Sequence, residues 1–190
     1  MRLVLSIGLF VGLAFLAGCA TLSKSPCQTG DWQQIGFGDG ASGADSSRFA
    51  DHQKACSEHG ITVDRAQSMQ GYNRGLRQYC TPAKAAEVGL DGRSYRNVCQ
   101  GEEGISFQRV YIAAKQVHEV DQEIQSIQNE IEQITKKIAD PATSQKEREK
   151  LARDLNWLNF DLNREYRARS QEERELRNIQ AQEEARLARL

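Results

Sequence analysis

The sequence predicts a mainly α protein. A small, disulfide-stapled, Gly-rich helical domain is followed by a long antiparallel helical hairpin packed as a coiled coil. Three observations carry this expectation. Four cysteines, Cys27, Cys56, Cys80 and Cys99, fall in one stretch of the 190-residue chain. Beyond Phe107 the composition changes, and residues 110–190 hold 14 Lys/Arg, 16 Asp/Glu and one Pro, with neither Gly nor Cys. Within that stretch apolar residues recur at alternating spacings of three and four, the signature of a helical seam. The net charge of −1 and pI near 6.3 argue against a strongly basic nucleic-acid binder.

Residues 1–18 read as an export signal. Arg2 precedes an apolar run from Leu3 to Phe15, too short for a membrane span of about 20 residues. The run ends Leu16-Ala17-Gly18-Cys19, which resembles the bacterial lipobox. That resemblance implies a diacylglyceryl group on the Cys19 sulfur and a further acyl chain, typically palmitate, on its amine. Two or more chains hold stably to a bilayer, whereas one holds marginally. Ala20 follows Cys19, where Asp would favour the inner membrane by the same likeness. The expected address is the periplasmic face of the outer membrane, with residues 19–26 as a lipidated linker.

The remaining four cysteines are even in number, and an exported chain meets an oxidising compartment, so two disulfides are expected. No CxxC or CxH spacing suggests zinc. A helix over 64–79 places Cys80 at the far end, about 24 Å from its start. Cys56 lies near that start, and a bridge needs Cα atoms within about 7 Å. Cys56–Cys80 is therefore disfavoured. The reading leans to Cys27–Cys56 with Cys80–Cys99; Cys27–Cys80 with Cys56–Cys99 stays open.

Residues 27–107 form the first domain. Asp31-Trp32 leads into a glycine-dense stretch, Gly36 to Gly43, expected to be a loop. Ser46 or Ser47 can cap a short helix to about Glu58. Asp64 caps the next helix, which Gly71 and Gly75 weaken by about 1 kcal/mol each unless they permit close backbone approach. Thr81-Pro82 opens a short helix that Gly89 closes.

The order Cys27, Trp32, Gly36, Asp39-Gly40, Gly43, Cys56, Tyr72, Gly75, Tyr79-Cys80, Gly89, Gly92, Tyr95, Cys99 resembles an uncharacterised bacterial envelope-lipoprotein family, domain of unknown function 2799. The likeness covers about residues 27–112. It implies a lipoprotein and supplies no catalytic residue.

Gly38-Asp39-Gly40-Ala41-Ser42-Gly43 matches G-x-G-x-x-G, but no strand precedes it and Asp39 opposes a pyrophosphate. It is read as a set of turns, with no cofactor. Asp39 and Asp45 lack the order of a calcium loop. Arg74 and Arg77 with Tyr72 and Tyr95 suggest a surface for an anionic glycan or headgroup, forked donors beside stacking rings; a solvated face over a small core is the plainer expectation. His52, His59 and His118 are scattered and read as surface residues. No Ser-His-Asp or Cys-His set emerges, so no catalytic residue is assigned and an enzyme is not expected.

Residues 108–190 form the hairpin. Val110, Ala113, Val117, Val120, Ile124, Ile127, Ile131, Ile134 and Ile138 hold the 3-4 alternation without a fault. Pro141 ends that arm, and Ser144-Gln145-Lys146-Glu147 matches a capping box. Leu151, Leu155, Leu158 and Leu162 then return the seam. Folding back at 141–143 sets Ile134 against Leu151, Ile131 against Leu155, Val120 against Tyr166 and Val110 against Leu176. Arg169 and Glu172-Glu173 fall near the seam, so pairing is expected to loosen there.

The expected role is a non-enzymatic, lipid-anchored envelope protein whose coiled coil contacts a protein partner or acts as a spacer. The alternative is a peptidoglycan- or glycan-binding, or hydrolytic, domain.

Overall fold

The computed structural model describes residues 21–190. Among them lie seven helices and no strand: α1 Lys24–Thr29, α2 Trp32–Ala41, α3 Arg48–Ser57, α4 Arg65–Tyr79, α5 Pro82–Leu90, α6 Gly101–Ala139 and α7 Gln145–Leu187. The leader and Cys19 lie outside the described residues.

The glycine-dense stretch is helical as far as Ala41, and only Ser42 and Gly43 form a turn. Asp31 caps α2 by accepting from the Gln34 amide, and the helix runs through Gly36, Gly38 and Gly40. Gly36 and Gly40 lie one turn apart on the face that meets α4, where Gly71 and Gly75 are spaced the same way. A Cβ on Gly36 would strike the Ser68 carbonyl, and one on Gly71 would strike that of Gln33. Four missing side chains thus let two helical backbones touch, an approach at which Cα–H groups can meet carbonyls. The helical cost of glycine is offset by that contact, which is invisible to a reading of either segment alone.

Two small cores flank this helix pair. One gathers Trp32, Val63, Ile35 and Phe49 around the Cys27–Cys56 bridge. The other holds Tyr79, Ala85, Val88 and Phe107 beside Cys99, which bonds to Cys80. The bridges are the pair the sequence leans to, and the Cys56–Cys80 pairing that helix geometry disfavours is not formed. Phe107 is fully buried, between the rings of Tyr79 at 5.0 Å and Tyr95 at 4.4 Å.

Residue 107 marks a change of composition but no break in structure. α6 starts at Gly101 and continues through it, so Val110, Ala113, Ala114 and Val117 belong to the second core. Gly89 of α5 lets that helix lie against the Tyr111 carbonyl and the Ala114 methyl of α6. At about 1.5 Å per residue, α6 and α7 extend roughly 58 and 65 Å.

The two long helices run antiparallel. At the tip, Arg148 donates to the carbonyls of Asp140 and Thr143, and Lys137 pairs with Glu147 at 2.8 Å. Ser144 caps α7 by accepting from the Glu147 amide. Farther down, Gln128 donates to the Tyr166 hydroxyl, which leans towards the tip as helical side chains lean towards their N-terminus. Ile124, Ile127 and Leu151 are buried, while Ile131, Ile134, Leu155 and Leu158 are half-buried, because two helices alone cannot cover a seam from every side.

The end of α7 does not loosen. Arg169 pairs with Asp121 at 2.6 Å, and Leu176 and Ile179 enter the second core. Glu183 is buried and accepts from Arg109 and Arg186, while Arg186 also reaches Glu102. The last turns of the chain therefore close the base of the hairpin over the disulfide-bearing part.

Candidate functional site

The structure separates the residues grouped as a ligand surface. The Tyr72 side chain is buried, and its hydroxyl donates to the Ala44 carbonyl. Tyr95 lies against Phe107 and Tyr111 and accepts from the Cys99 amide through its hydroxyl oxygen. Neither ring offers an open stacking face. Arg74 lies over the Phe37 ring at 5.1 Å. Arg77 is exposed on α4 beside the Cys80–Cys99 bridge, in a hollow shared with Leu76, Gln100 and Glu103. The tyrosines serve the core because their apolar bodies are buried while their hydroxyls find backbone partners.

His52, expected at the surface, is buried on α3. One ring nitrogen, Nε2, lies 2.8 Å from Asp39 Oδ2; the other, Nδ1, lies 2.8 Å from the Thr21 hydroxyl. Arg48 holds the second Asp39 oxygen at 3.2 Å. Carboxylate, imidazole and hydroxyl thus stand in line, a grouping the sequence hid because its members are spread over residues 21–52. The cavity beside them, between Ile35, Phe49 and Tyr72, has a volume of about 10 Å³. That is the space of a single water. The arrangement works as a tie: it fastens Thr21 to α2 and α3, and Leu22 packs on the core beside it. The segment expected as a linker to residue 26 is therefore docked from Thr21 onward.

A larger cleft opens between the two cores, with a volume of about 500 Å³. It is lined by Arg48, Arg93 and Arg96, by Asp39, and by Ser42 and Ser94. Tyr79 forms part of its floor against Gly43, whose φ of +69° keeps a Cβ from that position and whose missing side chain admits the ring. Burial pushes the Tyr79 phenol up, opposed by the nearby Arg93 and Arg96 charges. Arg93 pairs with Glu87 at 2.8 Å and Asp91 at 2.9 Å. Among the described residues Arg96 has no ion-pair partner within 4 Å and is exposed at the rim. The cleft can receive an anionic group on Arg96, with hydroxyls beside it.

Among the described residues, no group of three or more His, Cys, Asp or Glu side chains is placed to hold a metal ion. Among them, too, no helix is long and apolar enough to cross a membrane.

The family-like residues gain physical roles from this geometry. Trp32 covers the first disulfide, Gly36, Gly40 and Gly75 serve the helix contact, Asp39 holds His52 and Arg48, and Gly92 lies against the His118 ring. Residues 31–116 match the family described as protein of unknown function (DUF2799). No curated protein and no solved structure matches the chain.

Proposed function

From the lipobox-like Leu16-Ala17-Gly18-Cys19 behind its apolar run, we propose that the chain is a lipid-anchored periplasmic protein of the bacterial outer membrane. Cys19 carries the acyl chains, and the hairpin, packed as a coiled coil, is a non-enzymatic arm that meets an envelope protein or holds a distance. The single observation that carries the arm is the continuity of α6. One helix leaves the disulfide-bearing core at Val117 and reaches the tip at Ala139 without a break. A stiff projection of that kind suits contact or spacing.

The docking of Thr21 supports the anchored reading. Only Ala20 separates Cys19 from the tied residue, so the lipid would hold the folded part within about 7 Å of extended chain. The test is fractionation of cells producing the full chain or Cys19→Ala. The parent belongs in the outer-membrane fraction and the variant in the soluble periplasm; a variant that still sediments after a salt wash rejects the anchor. A photo-crosslinking residue at Lys136 near the tip should give a discrete adduct with an envelope protein, and its absence rejects the partner role.

A second reading rests on the arginine-lined cleft, which suits a carboxylate-bearing glycan such as peptidoglycan. Arg96→Ala should then weaken sedimentation with purified peptidoglycan at least tenfold, while Arg74→Ala leaves it unchanged.

A further inference from the structure

One face of α7 lies opposite the hairpin seam. Lys150, Arg153, Trp157, Phe160, Arg164 and Arg167 follow one another at spacings of three, four, three, four and three. They form one stripe, and all are exposed. Lys146 extends it towards the tip and Arg174 towards the base, for about 42 Å at 1.5 Å per residue. Trp157 is 70% exposed and Phe160 57%, although burying aromatic rings is among the largest apolar gains a fold can make.

Charges elsewhere on the hairpin are mostly satisfied within it. Lys137, Arg109, Arg169 and Arg186 all pair with carboxylates. On the stripe only Arg164 does so, with Asp161 and Glu165. Among the described residues Lys150, Arg153 and Arg167 have no carboxylate within 4 Å. Glu149 flanks the stripe near the tip and takes its hydrogen bond from Gln145. Glu175 flanks it at the base.

We propose that this face of α7 seats on the surface of a bilayer containing anionic phospholipids. A stripe along one exposed helix face is a ridge, not a cup that could enclose a small ligand. A partner helix would need a continuous apolar ridge, and here two aromatic residues stand between cations. At a bilayer surface each component has a place. Trp and Phe rings settle at headgroup level, and Lys and Arg extend their charged ends to phosphates. Each cation near such a surface strengthens binding about fivefold. The inference concerns residues 146–174 and does not depend on acylation of Cys19.

The test uses the chain from Thr21 to Leu190, which keeps both disulfides and both cores. The protein has two tryptophans; Trp32 is buried and Trp157 exposed, so a change in emission on adding vesicles reports Trp157. With vesicles of phosphatidylcholine and phosphatidylglycerol at 3:1, the emission should shift to the blue and the protein should co-sediment. With phosphatidylcholine alone neither should occur. Combining Lys150→Glu, Arg153→Glu and Arg167→Glu should weaken binding more than about a hundredfold, with unchanged helical circular dichroism. Trp157→Ala with Phe160→Ala should weaken it about tenfold. No shift with the anionic vesicles, or equal binding by the triple variant, overturns the proposal. Tight binding to soluble polyglutamate with none to vesicles also overturns it and points to an acidic protein partner.

Discussion

A methyl group added to Gly75 of α4 would stand 3.0 Å from the carbonyl carbon of Gly40 in α2, and 2.6 Å from the Ala41 amide nitrogen. Those atoms belong to helical backbone and cannot swing aside as a side-chain end can. Gly75→Ala must therefore part the helices, at a cost of about 1–3 kcal/mol. Gly38 lies on the same helix as Gly40, but a Cβ there meets nothing within 4 Å. Gly38→Ala should instead stabilise by about 0.5–1 kcal/mol, through helix propensity and a less flexible unfolded chain. Denaturant melts of the two variants should move in opposite directions.

Reduction should weaken both cores. The bridges close loops with sequence separations of 29 and 19, for which chain-entropy arguments give about 3–4 kcal/mol each. Unreduced peptide mapping should yield Cys27–Cys56 and Cys80–Cys99. Replacing Cys80 and Cys99 together by Ala should lower the melting temperature and expose Tyr79 and Phe107 to a hydrophobic dye.

Seam and outer face should respond differently to substitution. Ile127→Asp buries a carboxylate where Ile127 is now covered, at a cost of about 2–5 kcal/mol for the lost side chain, with desolvation added. Ser126→Asp, one position away and exposed, should stay within about 0.5 kcal/mol. Equal effects in a chemical melt would show that the two helices do not bury Ile127 in solution.

Acid should loosen the base of the hairpin. The Arg109 guanidinium, helped by Arg186, holds the buried Glu183 carboxyl below its ordinary value of 4.5. A carboxyl lowered on folding stabilises the folded state fully above that ordinary value, and the stabilisation fades as pH falls towards the lowered one. Melts between pH 6 and pH 3 should show an extra loss below about 4.5. Glu183→Gln should be less stable at pH 6 and lack that extra slope.

Features whose signal is local were legible in the sequence. The 3-4 spacing from Val110 to Ile138, Pro141 and the Ser144 cap define the arms and their turn with no help from distant residues. The length of one helix disfavoured Cys56–Cys80 but left two pairings open, and the one leaned to is the one formed. α2 was hidden because its glycines read as chain breaks, and the reason for them is Gly71 and Gly75, some 35 residues away. The hairpin register had set Leu176 against Val110, and both lie in the second core; what stayed hidden is that α5, far off in sequence, also packs against this end of α7. Of the residues grouped as a ligand surface, the tyrosines were misplaced because a ring that packs and a ring that stacks on a ligand leave the same trace in sequence. Arg93 and Arg96 could be seen as cations, but not as walls of one cleft.

The unbroken passage of α6 from core to tip has a mechanical consequence. Beyond Val117, the last residue it gives to the core, α6 continues to Ala139, about 33 Å at 1.5 Å per residue. With no hinge along that length, a push on the tip arrives as torque at the base, where Gly89 lies against α6 and Glu183 clasps Arg109. Conversely, a tilt of roughly 10° between α5 and α6 would sweep the tip through about 6 Å over that length. The protein is geared so that small adjustments beside the second disulfide become large displacements far from it.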